Sequence, residues 1–414
     1  MLKKIAIFSL ILAAFSLYAE GEYEGKLQET VVTATGFSDN IENQIKNITV
    51  ITSEDIQEKG YNNVEEILRR APGVNFVNNN FGNIVDIRGQ GPEKASGRVK
   101  ILVDGVPMNI LDLSHALVPI NTVAVEDIEK IEIINGGGSV LYGNGTAGGV
   151  VNIITKKGRK EGASGKAYYQ NSSYNTNKLG FSTGLNLNNK LTLDLGYENI
   201  NGRGYRENDK TSSEFLKGGL IYNITDNQSL KFKATRYNEE YRESSGITAA
   251  QLAQNRKQRG ETLTFGDVVR KEYSLEYNIK PTENFELSIL GYKQKMRREY
   301  DQKDSETDTD GLFQDRKTGA RLKGNYNYGS GNLVFGYEYT DNDMLRKALN
   351  SYTVNMGRRT VKAGSDTTVN LSKDTHSLYL LERHTFFDKL EGTLGYRYEH
   401  SKYKIDRNSK GSMM

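Results

Sequence analysis

Apolar and polar side chains alternate along most of the chain after residue 163, at the two-residue period of a β-strand. Leu191, Leu193, Leu195 and Tyr197, for example, fall on one face, with polar residues or glycine between them. The pattern predicts eleven strands, at residues 165–173, 177–187, 190–200, 213–223, 228–237, 269–279, 284–297, 314–327, 332–341, 374–386 and 389–400. Alternation alone fits two architectures: a soluble sandwich with one wet face, or a sheet whose apolar face meets lipid.

The lengths of the connections distinguish these architectures. Connections after the second, fourth, sixth, eighth and tenth strands are short, such as NN, KPTE and YGSG. Those after the third, fifth, seventh and ninth are long and charged, for example residues 238–268 and 342–373. Transmembrane barrels have short turns on one side of the membrane and longer loops on the other. We therefore predict antiparallel transmembrane β-barrel strands.

The N-terminus predicts export. Two lysines precede a 13-residue, mostly apolar run at residues 5–17, which is too short for a membrane-spanning helix and typical of a signal peptide cleaved near Ala19. The chain has no cysteine, so an exported form has no disulfides. Without residues 1–19 it has 53 Lys and Arg against 52 Asp and Glu, a balance that argues against nucleic acid as a partner.

Residues 41–160 have the pattern of a compact α+β domain. Ser53 is placed to cap a first helix that ends at Gly60, and Asn63 with Glu66 to cap a second. Four β-prone segments separated by glycine turns follow: VDIRG, VKILVDGVP, IEKIEIING and GVVNIITKKG.

Residues 143–148, GNGTAG, match the G-x-G-x-x-G pattern of dinucleotide-binding loops. That pattern holds a pyrophosphate only when a helix follows it and an acidic residue lies about 20 positions further on. Here residues 149–155 are rich in β-branched residues and predict a strand, and Tyr168 or Tyr169 occupies the acidic position. A nucleotide site is not expected, so the glycines need another explanation.

Six segments in order carry a resemblance to a known family. They are ETVVTAT (29–35), EEILRRAPGVNF (65–76), VDIRGQGP (85–92), ILVDGVPMN (101–109), VEDIEKIEIING (125–136) and SVLYGNGTAGGVVNIITKKG (139–158). In this combination the chain resembles TonB-dependent outer-membrane receptors for siderophores, haem or cobalamin. The resemblance implies an α+β plug inside a barrel of 22 strands. It divides the chain into a signal peptide (1–19), an N-terminal segment with the TonB box (20–40), the plug (41–160) and barrel strands (161–414).

The resemblance also implies roles for single residues. Arg88 would lock the plug to acidic residues of the barrel wall, the alternative being a surface arginine at a strand end. Relatives usually have a cation, Gly and Pro where this chain has Asn135, Gly136 and Gly137, a departure from that lock. The TonB box would pair edge-on with a strand of the energy-transducing protein TonB, unless it is simply the first strand of the plug. It comprises Glu29, Thr30, Val31, Val32, Thr33 and Ala34, and the tight glycine turn of the plug comprises Gly143, Gly145, Gly148 and Gly149.

The ligand is implied only as a class. DIRGQGPE favours a catecholate-type ferric siderophore, whereas PMNILDLSHALVP is closer to cobalamin receptors. His115 could ligate haem iron, although a lone histidine is more often structural, and Gln90 is a second candidate for ligand contact. A non-transport barrel, such as an adhesin or passive pore, is the alternative of another class.

We expect no enzymatic activity, cofactor or metal. The chain has four histidines and no nucleophile placed beside a base. The acidic stretch ETDTDG (306–311) lacks the glutamate that a calcium loop needs, so it predicts a solvated loop. Expected partners are TonB, a ferric siderophore and lipid of the Gram-negative outer membrane.

The strand count predicts an incomplete barrel. A barrel of about 22 strands needs roughly 10 residues per strand plus connections, well beyond what residues 161–414 supply. The last predicted strand leads to KIDRNSKGSMM rather than to a closing strand with a terminal aromatic residue. We therefore expect the N-terminal half of a receptor, whose plug folds but which does not transport by itself.

Overall fold

The computed structural model describes residues 30–31, 37, 39–40, 48–79, 82–91, 94–111, 118, 120–156, 162–356, 359–387 and 389–413. Within these ranges an α+β domain, which we call the plug, precedes one large antiparallel sheet. The plug rests against one face of that sheet, which we call the inner face.

The plug is built around a mixed sheet of five strands. Its elements are β1 Thr30–Val31, β2 Asp39–Asn40, β3 Ile48–Thr52, α1 Ser53–Lys59, α2 Val64–Arg69, β4 Val74–Asn79, β5 Gly82–Ile87, β6 Val99–Val103, β7 Val106–Pro107, β8 Ile128–Ile134, α3 Ser139–Tyr142 and β9 Gly149–Thr155. The strand order is β3-β8-β9-β6-β7, in which β6 and β9 run parallel and the other neighbours antiparallel. The pairs β1–β2 and β4–β5 are separate two-stranded sheets.

Branched apolar side chains form the core of the plug. β9 is buried along its whole length, as a central strand covered on both faces must be, and it confirms the strand predicted at residues 149–155. Ile56 of α1 and Ile67 and Leu68 of α2 pack into the same core. Each fully buried side chain of this type contributes about 1.5–3 kcal/mol relative to exposure, so this core is the main source of plug stability.

Capping side chains set the helix boundaries. α1 begins after Thr52, whose hydroxyl accepts a hydrogen bond from the Asp55 N–H at 3.3 Å, while the Asp55 carboxylate accepts one from the Thr52 N–H at 3.0 Å. The prediction that Ser53 is the cap is wrong by one residue, because only Thr52 completes this reciprocal capping box. The predicted end of α1 at Gly60 (φ 62°) and the predicted cap of α2 by Asn63 are confirmed.

The large sheet has eleven strands, the number predicted. They are β10 Gly162–Ser172, β11 Thr176–Leu187, β12 Leu191–Arg203, β13 Lys210–Thr225, β14 Gln228–Ser244, β15 Leu263–Thr282, β16 Phe285–Lys303, β17 Thr307–Tyr328, β18 Gly331–Met356, β19 Arg359–Phe386 and β20 Leu390–Met413. Each pairs antiparallel with its neighbours in sequence. A short helix, α4 Ala249–Gln254, lies between β14 and β15. Among the helices that the structure describes, none is long and apolar enough to span a membrane.

Several strands are longer than predicted. The loop predicted at residues 342–373 is wrong, because β18 and β19 pair throughout this region, and β20 continues through the segment KIDRNSKGSM. Hydrophobic alternation marks only the part of a strand that faces lipid, whereas backbone hydrogen bonds continue beyond it. Residues 245–262, which include α4, do form a long connection between strands.

The two faces of the large sheet differ in polarity. Leu195, Leu216 and Tyr396 are 55%, 50% and 65% exposed. Their sequence neighbours Lys217 and Arg397 point the other way and contact the plug. A polar inner face and an apolar outer face are the pattern of strands that form the wall of a transmembrane barrel.

Candidate functional site

A buried lysine joins the plug to the inner face. Lys217 of β13 places its Nζ 2.7 Å from Asp127 Oδ1 of the plug, and the same ammonium donates to the Lys156 carbonyl at 3.0 Å. It also lies 2.9 Å from Asp194 Oδ1 of β12. One cation of the sheet therefore bridges a carboxylate of the plug and a carboxylate of the wall.

A second bridge forms at the turn between β6 and β7. Asp104 (φ 49°) accepts hydrogen bonds from the N–H and the hydroxyl of Thr155, both at 2.8 Å, and pairs with Lys233 of β14. Burial opposes ionisation of Asp104, but Lys233 and Thr155 outweigh burial and hold the pKa of this carboxyl below its ordinary value. Asp104 is therefore ionised at neutral pH and is held from both the plug and the sheet.

Asp127 differs from Asp104 because one of its oxygens is unsatisfied. Asp127 Oδ2 is buried and has no hydrogen-bond partner in the described part of the chain. Burial raises the pKa of Asp127 to about 6 although Lys217 favours the ionised form. A carboxyl with a raised pKa contributes stability below its unfolded value of 3.8 and loses that contribution as the pH rises through about 6.

The loss of stability through Asp127 with rising pH can be tested. We expect the free energy of unfolding of the full chain in detergent to fall through Asp127 as the pH rises from 4 to 7. Asp127→Asn should flatten that part of the profile, whereas Asp226→Asn, at an exposed turn, should leave it unchanged. Urea titrations at a series of pH values measure the slope. A slope in Asp127→Asn equal to that of the unchanged chain would contradict the assignment.

Arg397 of β20 holds the C-terminal end of α3. Its Nη1 donates to the carbonyls of Val140 and Leu141 at 3.2 and 3.3 Å. The guanidinium is fixed by Glu338, 2.8 Å from Nη2, and by Glu399, 3.3 Å from Nε. The partial negative charge at a helix C-terminus favours a nearby cation, and the two carboxylates fix the position of the guanidinium.

The first two glycines of GNGTAG form the turn after α3. Gly143 and Gly145 have φ of 71° and 87°, which other residues rarely adopt. A Cβ on Gly143 would also lie 2.8 Å from Arg397 Nη2. The turn follows a helix and leads into β9, the reverse of the order in a dinucleotide-binding loop.

The last two glycines allow β9 to approach its neighbours closely. A Cβ on Gly148 would lie 3.1 Å from the Arg98 carbonyl oxygen, and one on Gly149 would lie 2.5 Å from the Ile134 carbonyl oxygen. Because both carbonyl oxygens belong to the backbone of the packed plug, neither can move aside without a large cost in free energy.

Arg88 lies at the surface of the plug. It is exposed, has φ of 68°, and its Nη1 would be 2.6 Å from a Cβ on Gly136. Glu338 and Glu399 of the inner face pair with Arg397 rather than with Arg88. A lock between Arg88 and acidic residues of the wall stays a prediction.

The other predicted site residues are described only in part. Gln90 Oε1 accepts a hydrogen bond from Arg98 Nη1 at 2.8 Å, and a ligand contact by Gln90 stays a prediction. Thr30 and Val31 form β1, which pairs antiparallel with β2. His115 and four residues of the predicted TonB box, Glu29, Val32, Thr33 and Ala34, lie outside the described residues.

The sequence prediction missed the sheet residues that hold the plug. Lys217 follows Leu216, and Arg397 stands between Tyr396 and Tyr398, so each charge alternates in sequence with large apolar side chains of the exposed outer face. A charge at an inward position of the alternating pattern could have predicted a contact with the plug, because such a charge needs a partner on the inner face. Both cations belong to the sheet: Lys217 contacts a carboxylate of the plug, and Arg397 contacts backbone carbonyls of the plug.

The acidic stretch at residues 306–311 is not the predicted solvated loop. Asp308 and Asp310 lie in β17 and face Asp301 of β16, with carboxylate oxygens within 4.8 Å of one another. Lys303 Nζ lies 2.8 Å from Asp301 Oδ2 and partly neutralises the group. The prediction fails because cross-strand pairing continues to the tip of this hairpin.

Residues 40–150 match the family model of the TonB-dependent Receptor Plug Domain. The ferric enterobactin receptor of Pseudomonas aeruginosa is 28% identical over 367 residues, which are 83% of this chain and 45% of that receptor. The ferric enterobactin receptor PirA of the same organism is 30% identical over 227 residues, 46% of this chain and 30% of that receptor. The matched regions thus span less than half the length of these relatives.

Solved structures share the fold at lower identity. The ferric citrate transporter FecA in its unliganded form is 20% identical with a TM-score of 0.62, over 87% of this chain and 60% of that one. A chain in the structure of the FpvAI–pyocin S2 complex is 13% identical with a TM-score of 0.70, over 93% of this chain and 57% of that one. These likenesses support the same arrangement of a plug against antiparallel strands.

Proposed function

We propose that this chain is the plug and part of the barrel wall of a TonB-dependent receptor, and that the receptor serves the energised uptake of an iron chelate across the outer membrane. The match of residues 40–150 to the plug family and the fold shared with FecA support this proposal. A catecholate-type ferric siderophore is the favoured ligand, since both curated relatives described above are ferric enterobactin receptors. Haem or cobalamin is the alternative within the family. The function is binding and transport, with no catalytic step.

Charged side chains at the contact between plug and wall support this proposal, and they lie beside apolar clusters such as that of Leu141 with Val334 and Leu381. Lys217 and Lys233 reach the plug as single ion pairs, and Arg397 reaches it through carbonyls. These polar contacts can exchange for water when the plug moves, whereas the apolar clusters shared by plug and sheet would become exposed. A passive pore needs no plug, and an adhesin needs no movable one, so the interface favours a transporter over both.

The proposed energy source is TonB, acting on residues 29–34. Thr30 and Val31 already have strand geometry, so a strand of the partner could pair with them through main-chain hydrogen bonds. Export by a signal peptide at residues 1–19 and residence in the lipid of the outer membrane complete the proposal.

Val31→Pro tests the proposed function in cells that express the gene from its own locus. Proline removes the backbone N–H that a paired strand needs. We expect uptake of labelled ferric catecholate to fall to background in Val31→Pro while binding at the cell surface is retained. Val31→Ile, which keeps the N–H and the β-branched side chain, is the matched control. Undiminished uptake in Val31→Pro would rule out an energised role for this segment.

A further inference from the structure

A cavity of about 260 Å³ lies between the plug and the inner face of the large sheet. Its lining carries a formal charge of +3, from five cations and two carboxylates. A buried excess of one charge is unfavourable unless something pairs with it. The charged side chains are Lys100 of the plug and Lys317, Arg321, Lys373, Arg397, Glu338 and Glu399 of the sheet.

The two carboxylates are already occupied by the arginines. Glu338 Oε2 lies 2.8 Å from Arg397 Nη2, and Glu338 Oε1 lies 3.9 Å from Arg321 Nη1. Glu399 pairs with Arg397 at 3.3 Å. The excess positive charge therefore belongs to the three lysines.

None of the three lysines has a carboxylate within ion-pair distance in the described ranges. Lys100 donates to the Tyr142 carbonyl and Lys317 to the Asn109 carbonyl, which satisfies a hydrogen bond but does not neutralise a charge. Lys373 lies 5.0 Å from the centre of the Tyr403 ring.

Two acidic groups outside the lining lie near Lys317: Asp315 offsets part of the positive charge of Lys317, whereas Glu272 is taken up by Arg270. Asp315 accepts a hydrogen bond from the Leu111 N–H at 3.2 Å, and Glu272 pairs with Arg270 at 2.7 Å. Burial lowers the pKa of Lys100 to about 8 although Glu338 and Glu399 favour the charged form. A bound anion would reverse that shift.

We propose that this cavity binds a small multivalent oxyanion between Lys100 of the plug and Lys317 and Lys373 of the sheet. A cavity of this size holds several water-sized groups, which leaves room for a tetrahedral oxyanion with some of its water. The anion is either free, as inorganic phosphate, or an acidic group of a larger chelate. Because it contacts both the plug and the wall, its binding stabilises their association. The proposal does not depend on the proposed transport function.

Calorimetric titration of the full chain in detergent with inorganic phosphate, at fixed ionic strength in chloride buffer, tests the site. We expect one phosphate per chain. Lys317→Met and Lys100→Met should each weaken binding by about tenfold or more, because each removes a charge-assisted contact. Lys317→Arg should retain most of the affinity. Lys402→Met, at an exposed position of β20, should bind phosphate as the unchanged chain does.

Two further outcomes decide the proposal without depending on how the variants fold. Phosphate should raise the unfolding temperature of the unchanged chain, in proportion to the logarithm of its concentration once the site is saturated. No binding by the unchanged chain, or unaltered affinity in a folded Lys317→Met chain, would overturn the site.

A competition experiment between phosphate and a ferric chelate identifies the source of the anion. If a ferric tris-catecholate displaces phosphate, the site accepts acidic groups of the chelate; if both bind together, it accepts a free oxyanion, and either result supports the site. Chelate binding without phosphate binding would overturn the oxyanion site and leave the proposed function standing. Phosphate binding without chelate binding would support the oxyanion site and contradict the proposed function.

Discussion

Arg397→Ala is expected to loosen the glycine turn of the plug from the wall by about 3 kcal/mol. The substitution leaves Glu338 and Glu399 without their main cation and the α3 carbonyls without a donor. Hydrogen exchange measured by mass spectrometry on peptides covering residues 139–150 should become roughly a hundredfold faster. The hydrogen bonds between the strands of the large sheet should be unaffected.

Two further variants separate the loss of pairing from a general loss of structure. Arg407→Ala changes an exposed arginine of the same strand and should leave exchange at residues 139–150 unchanged. Arg397→Met combined with Glu399→Gln removes one of the two carboxylate charges that lose their cation together with the guanidinium, so it should recover part of the protection. Equal protection in Arg397→Ala and the unchanged chain would show that the turn is held by other contacts.

Gly149→Ala is expected to destabilise the plug by about 3 kcal/mol. The added methyl group would lie 2.5 Å from the Ile134 carbonyl oxygen and 3.0 Å from Ile87 Cδ1, so β8 and β9 would have to separate. Thermal unfolding of the plug, followed by exchange of β8 and β9 amides, measures the loss. Ala147→Ser, at an exposed position two residues earlier, should change stability by less than about 0.5 kcal/mol. A stable Gly149→Ala chain would mean that the backbone relaxes around the new atom.

The strands of the large sheet could be predicted because their two faces differ in polarity. Leu195 and Leu216 must face outwards and Asp194 and Lys217 inwards, so the two-residue period is visible in the sequence. Residues 342–373 follow no such rule. The backbone pairing of β18 with β19, which makes the described part of this region strands, leaves no mark on the side-chain pattern.

The contacts of the site were harder to predict than the fold. Arg88 suggested a cation on the plug and acids on the wall, but Glu338 and Glu399 pair with Arg397 of their own sheet. Which inward charge meets which partner depends on the rotation of the plug within the barrel. That rotation is fixed by contacts such as the one between Lys217 and Asp127, whose residues are 90 positions apart in the chain.

The position of β3 determines how the plug responds to force. β3 is an edge strand of five residues that pairs only with β8, and Ile48 at its start lies opposite Ile134 at the end of β8. In the proposed function a pull on the N-terminal segment would enter β3 at Ile48, while Arg397 holds the chain at Val140 and Leu141, six and seven residues after Ile134. Load and restraint act at the same end of the pair, so the β3–β8 hydrogen bonds open one after another, by unzipping rather than by shear. Under such a pull we expect β3 to detach first, with β8, β9 and β6 remaining paired.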